Sequence, residues 1–151
     1  MKPVAKKATP AALAVLRQAT ALSPNRKKAS DGLLPSAAHI KASPNSDHNT
    51  GFAVDLTDDP KAGIKCSEIY EKLKEDKRVK YLIFKGKIWS LARGEKPYTG
   101  SNPHNKHLHI SIKDNCGNDK SPWFPWLGKP KTINKVKAKI PKPLPKKKEN
   151  K

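Results

Sequence analysis

The segment HLHISI, residues 107–112, alternates apolar and polar side chains without a break. Side chains of a strand point alternately to opposite faces, so Leu108, Ile110 and Ile112 turn to a core while His107 and His109 share the other face. A chain holding this stretch must build a sheet with one buried face and one face free to carry polar groups. FAVDL, residues 52–56, reads the same way, with Ala53 and Asp55 on one face and Phe52, Val54 and Leu56 on the other. Residues 81–90, YLIFKGKIWS, place two apolar runs around Lys85-Gly86 and predict a tight β-hairpin.

Helical spacing appears twice. Ala11, Leu13, Val15, Leu16, Ala19 and Leu22 predict a short amphipathic helix over 10–22. Ala62, Cys66, Ile69, Tyr70 and Leu73 predict a second over 61–76. Residues 23–50, rich in Ser, Pro, Asn and Asp, read as a long loop region, and the stretch with Gly94, Pro97 and Gly100 reads as another loop. Residues 121–129 are expected to pack Trp123, Phe124 and Trp126 onto the domain edge. The expected fold is α+β: a small, mainly antiparallel sheet with helices on one face and the functional site on the other.

At 151 residues the chain has room for one domain. Its 35% hydrophobic content and 14 prolines argue that only part of it packs. We divide it into a basic N-terminal segment (1–9), a domain (10–128) and a Lys/Pro-rich tail (129–151) with ten Lys and one Glu. The tail has no hydrophobic period and is expected to be disordered, either as a solubilising end or as an anchor on anionic polymer. The formal charge of +19 favours nucleic acid, lipid headgroups or acidic wall polymers as partners. No apolar run approaches the roughly 20 residues of a membrane span. The apolar stretch AALAVL is cut by Arg17, which argues against a standard secretory signal. Cys66 and Cys116 are too few for a disulfide scaffold or a four-cysteine zinc module. They could pair or stand as separate thiols, and Cys66, on an apolar helix face, suits packing better than nucleophilic chemistry.

The five histidines are His39, His48, His104, His107 and His109, and none lies in the tail. His48 sits in a turn that Gly51 can close, and the strand that follows brings Asp55 inward, with small Ala53 beside it. His107 and His109, two apart on a strand, have Cα atoms about 6.5–7 Å apart on one face. If the two strands are neighbours, His48, Asp55 and His109 form a two-His, one-Asp set. Zinc binds such donors tetrahedrally, and a catalytic site leaves one position open for water. Taken alone, a His-x-His is often a plain polar face and a strand Asp a solvated edge residue.

The pattern Ser46-x-His48-x-x-Gly51-x-Ala53-x-Asp55 with a late His-x-His resembles the hedgehog/D-Ala-D-Ala peptidase zinc-binding superfamily. Six residues separate His48 from Asp55, as in that group. Ser30-Asp31-Gly32, Ala37-Ala38-His39, Asp47, Asn49, Arg78-x-Lys80-Tyr81 and Tyr98-Thr99-Gly100-x-Asn102-Pro103-His104 resemble a phage-associated branch with murein endopeptidases and endolysins. The likeness spans about residues 10–115 and leaves the tail outside.

This resemblance implies zinc on His48, Asp55 and His109, and a peptidase acting on peptidoglycan stem or cross-link peptides. Carboxypeptidase members carry an acidic base three residues before the last zinc histidine, where this chain has Lys106. The murein endopeptidases carry His-x-x-His-x-His instead, which His104, His107 and His109 match. By that match His107 is the base or oxyanion stabiliser and His104 its support. His39 is implied as a substrate-binding residue, against a turn-capping role. Arg78 and Arg93 could hold a substrate carboxylate or be surface residues, and Tyr81, Trp89 and Tyr98 read as core or groove residues. The implied protein is a monomer, made in the cytoplasm and acting at the bacterial cell wall, with peptidoglycan and anionic wall or outer-membrane polymers as partners. The competing reading is a non-enzymatic protein of the same fold that binds wall polymer or nucleic acid through its lysines.

Overall fold

The computed structural model describes residues 7–35, 40–41, 46–100 and 103–127. Among the described residues, the helices α1 (Pro10–Leu22) and α2 (Cys66–Leu73) accompany five strands. These are β1 (Ala53–Thr57), β2 (Val79–Phe84), β3 (Lys87–Ser90), β4 (Gly94–Pro97) and β5 (His107–Ile112). They form one sheet in the order β1-β5-β2-β3-β4, antiparallel at every pairing. The α+β architecture expected from the sequence is the architecture found.

Sheet register explains the two faces. Val54 pairs with Ile110 and Leu56 with Leu108, while Ile110 pairs on its other side with Leu82. These residues, with Ile112 and Phe84, form the core together with Ala11, Val15 and Ala19 of α1 and Ile69, Tyr70 and Leu73 of α2. On the opposite face Ala53 pairs with Ser111, Asp55 with His109 and Thr57 with His107. A β-bulge interrupts β2 between Val79, which pairs with Ile112, and Tyr81, which pairs with Ser111. An unbroken strand would turn Tyr81 to the same side as Val79, but the extra residue at Lys80 turns it, and Ile83 after it, to the histidine face.

Several boundaries differ from the sequence reading. The second helix begins at Cys66, not at residue 61. A short 3-10 turn, Pro60–Ala62, ends at Gly63, whose φ of 92° no L-residue adopts easily. Asp58 then accepts the backbone N–H of Cys66 at 3.0 Å and satisfies one of the free amides at the helix start. The supposed loop around Gly94 and Pro97 contains β4. As the sheet's edge strand it tolerates Pro and exposes Glu95 and Lys96, residues that discourage further pairing. Trp123 belongs to the core and not to the domain edge. It is fully buried, donates from Nε1 to the Ala11 carbonyl at 3.0 Å, and takes the Arg78 guanidinium over its ring at 3.6 Å. Cys66 and Cys116 are both free thiols, and burial pushes the Cys66 thiol well up. The tail lies outside the described residues. Among the described residues no helix is long and apolar enough to cross a membrane.

Candidate metal centre

Three segments bring the cluster together. His48 lies in a 3-10 turn, Asp47–Thr50, which starts where the Ser46 hydroxyl accepts the His48 backbone N–H at 3.2 Å. The turn closes at Gly51, φ 81°, where a Cβ would come within 2.8 Å of the Lys7 carbonyl oxygen. That close approach accounts for glycine in the motif, since the N-terminal segment crosses there and Thr9 donates to the Gly51 carbonyl. β1 carries Asp55 and its neighbour β5 carries His109 directly opposite. Gly32 pairs with the outer edge of β1 through both its N–H and its C=O to Asp55. A Cβ on Gly32 would stand 3.2 Å from Asp55 Oδ2, so glycine keeps the carboxylate's space open.

The donor atoms converge on one carboxylate oxygen. His48 Nε2 lies 3.3 Å and His109 Nδ1 3.2 Å from Asp55 Oδ1. His48, Asp55 and His109 each offer a ligand atom, and all three atoms lie within 4.8 Å of one another. The His48 tautomer follows from its other nitrogen. Nδ1 meets the Leu33 carbonyl at 2.8 Å, and a carbonyl only accepts, so Nδ1 carries the hydrogen and neutral His48 presents a bare Nε2. Lone pairs aimed at one another across a buried space repel, and a cation between them removes the repulsion. Burial pulls the His48 imidazole down, but the hydrogen bond and charge of Asp55 outweigh it and the net shift is upward. Burial likewise pushes the Asp55 carboxyl up, and the opposing contacts from His109 and His48 hold it far below the usual carboxylate range. The residues present therefore fit a metal ion.

His107 stands beside this set. Its Nε2 is 3.7 Å from Asp55 Oδ2, the oxygen that His48 and His109 do not use. That nitrogen is buried without a hydrogen-bond partner among the described residues, and burial pushes the His107 imidazole below its usual range. His104 packs edge-on against His107, 4.8 Å between ring centroids, and against His109 at 5.5 Å. Its φ is 61°, a left-handed conformation that a non-glycine residue holds only when its surroundings enforce it. The enforcement comes from the β2–β3 turn, where the Lys85 and Gly86 N–H groups donate to the His104 and Pro103 carbonyls. Asp55, His104 and His107 also form a group close enough to hold an ion.

Arg78 is a correction to the sequence reading. All five of its N–H donors are engaged: three positions reach Asp76 and the carbonyls of Asp119, Ser121 and Pro122, and the side chain is 5% exposed. It ties the segment after β5 to the start of β2 and has no donor left for a substrate carboxylate. His39 lies outside the described residues. Glu95, on β4, takes the Tyr70 hydroxyl and Lys74 as partners and does not join the cluster.

Two contributors escaped sequence reasoning, the Leu33 carbonyl and Ser111, and two more, Gly32 and Tyr81, were noted in the motifs without a role in the cluster. Tyr81 stacks on His109, 5.4 Å between centroids and 14° between planes. Ser111 Oγ meets His109 Nε2 at 2.7 Å. Ser111 was within reach of the same period-two argument that paired His107 with His109. No family model, curated protein or solved structure matches the chain.

Proposed function

We propose that this chain is a zinc-dependent peptidase that cleaves stem or cross-link peptides of peptidoglycan, in the manner of a phage lysis enzyme. The observation that carries the reading is the convergence of His48 Nε2, Asp55 Oδ1 and His109 Nδ1, with the His107 Nε2 buried alongside. Two imidazoles and one carboxylate suit zinc and leave a coordination position open. Zinc, when bound, supplies a Lewis acid that brings the pKa of a water to about 7 and polarises a carbonyl.

The remaining work belongs to the chain's own residues. His107 takes a proton at Nε2, or donates one there to a developing oxyanion. Burial, which holds the His107 imidazole below its usual range, favours the neutral form that can accept a proton. His104, wedged against the His107 ring and fixed by the β2–β3 turn, holds that ring in place. No acidic side chain takes this role at the position of Lys106, whose backbone carbonyl instead accepts the Asp58 N–H. The substrate class rests on the motif resemblance, and the charge of +19 supports it by suiting anionic wall or outer-membrane polymers. On this reading the protein works as a monomer, is made in the cytoplasm and acts at the bacterial wall.

The test is digestion of purified peptidoglycan with and without a chelator, followed by mass spectrometry of the fragments. New peptide termini that vanish with chelator and return with zinc are expected. Intact stem peptides from a zinc-loaded, folded protein would exclude the activity.

A further inference from the structure

His48 and His109 both meet Asp55 Oδ1 and leave Oδ2 to the other side of the cluster. There His107 Nε2 lies 3.7 Å from Oδ2. His104 adds a ring nitrogen, and one ligand atom from each of Asp55, His104 and His107 lies within 4.8 Å of the others. Donors held about 2.0–2.1 Å from a tetrahedral zinc stand roughly 3.3–3.4 Å apart, so small ring rotations close this set on an ion. Two observations set the group apart from ordinary polar packing. His107 Nε2 is buried without a hydrogen-bond partner among the described residues, and a bound ion is one of the few things that accounts for such an atom. His104 presents its ring from a backbone held at φ 61°, with its carbonyl pinned by the Lys85 N–H at 3.1 Å. Such conformations gather at ligand clamps.

We infer that Asp55 Oδ2, His104 and His107 form a second, weaker site for a zinc-like divalent cation, and that filling it inhibits the enzyme. Two imidazoles with one carboxylate suit zinc and similar transition-metal ions, whereas magnesium and calcium favour sets made of oxygen. Asp55 turns a different oxygen to each histidine pair, so one carboxylate serves both sites. The second site is the weaker because its ion shares that carboxylate with the first and is repelled by it. Inhibition follows from the atom used. A cation on His107 Nε2 occupies the lone pair with which this residue takes a proton, and excludes the N–H with which it would donate one.

The effect on turnover rests on the peptidase reading, but the second site can be tested by binding alone. The full chain, freed of metal, is dialysed against buffers of rising free zinc and its zinc content is measured by elemental analysis. Wild type should take up one ion and then another at higher free zinc. His107→Ala should bind one ion fewer, and so should His104→Asn, whose side chain tolerates a left-handed backbone. Wild-type turnover on isolated peptidoglycan should rise with the first ion and fall about 10²-fold or more with the second, the typical contribution of a general base. The turnover that His104→Asn retains should show no such fall. A wild type that saturates at one ion overturns the proposal, as does a second ion that persists in both variants. Turnover indifferent to the second ion overturns the inhibition. If each variant binds one ion fewer but wild type cleaves no peptidoglycan at any zinc concentration, the peptidase reading fails and the second site stands. If His104→Asn does not fold, His107→Ala and the wild-type turnover curve decide the matter.

Discussion

His107 Nε2 sits 3.7 Å from Asp55 Oδ2, while His48 and His109 both meet Asp55 Oδ1. One carboxylate thus separates the histidines into a pair that shares an oxygen and a third that faces the other. The register accounts for the division. Asp55 lies directly across from His109, and His107 lies across from Thr57, one step along the same face.

Metal content should follow this division. His48→Ala and Asp55→Ala each remove a donor from a three-donor set and should leave little zinc on protein purified in its presence. His107→Ala should keep it. Elemental analysis beside circular dichroism checks the point, and full zinc in both of the first two variants would exclude the assignment.

Arg78 should behave as a structural residue. Its Nη2 donates to Asp76 Oδ2 at 2.7 Å and its ring contact is with Trp123, all within a side chain 5% exposed. Removing one partner of a buried ion pair strands the other, at a cost of about 3–5 kcal/mol. Arg78→Ala should lose stability on that order in urea denaturation. Arg78→Lys should recover little, because an ammonium cannot reproduce five donors in a planar fork. The KM of any Arg78 variant that stays folded should match wild type.

Legibility in the sequence tracked how local each feature is. The helix over Pro10–Leu22 and the faces of β1 and β5 follow from side-chain period alone, and they place Asp55 and His109 together once the strands pair. The start of α2 failed because Ala62 continued the helical spacing through Gly63, where the backbone turns left-handed. β4 failed because edge strands carry the charged residues and Pro that elsewhere mark loops. The face of Tyr81 was out of reach for a different reason. It is set by a one-residue bulge, which period-two reading cannot see and which reverses every side chain after it. Leu33 contributes a backbone carbonyl, so its side chain carried no signal.

Acid should weaken the fold partly through Asp31. The carboxylate takes two hydrogen bonds from Arg26, at 3.0 and 2.7 Å, and two more from Thr57, fastening the segment before Gly32 to β1. Burial pushes its pKa up, but Arg26 and Thr57 outweigh burial and hold it below the usual value. A carboxyl depressed in the folded state contributes fully above its unfolded pKa of about 3.9 and loses that contribution as pH falls through the folded value. The stability gap between wild type and Asp31→Asn should therefore be largest near neutrality and shrink below about pH 4. Urea midpoints across that range measure it, and a gap independent of pH would remove Asp31 from the acid response.

Deleting 129–151 should leave fold and zinc content intact, since the core and the cluster found among the described residues are assembled from positions that precede it. The deletion removes ten Lys and one Glu, lowering the formal charge by nine. Binding to anionic wall material should weaken most at low salt, because screening at physiological ionic strength already limits exposed charges to about 8 Å. Sedimentation with purified walls at two salt concentrations reads this directly. Unchanged binding would assign the attraction to the lysines of the domain.

His107 carries the sharpest prediction. It is the histidine of the HLHISI strand that faces the cluster without sharing the oxygen of the ligand pair, and its Nε2 is buried without a hydrogen-bond partner among the described residues. A side chain so placed can serve the reacting groups without being needed to hold the ion. A positioned general acid or base contributes about 10²–10⁴-fold. His107→Ala should therefore retain zinc and fold while turnover on isolated peptidoglycan drops by about that factor. His104→Ala should cost less, because it acts by packing on the His107 ring at 4.8 Å. Zinc content and turnover must be measured on the same preparations. Loss of zinc in His107→Ala would make His107 a ligand and exchange its role with that of His109. Full zinc with full turnover would remove His107 from proton transfer and leave His104, already within the cluster, as the residue to test next.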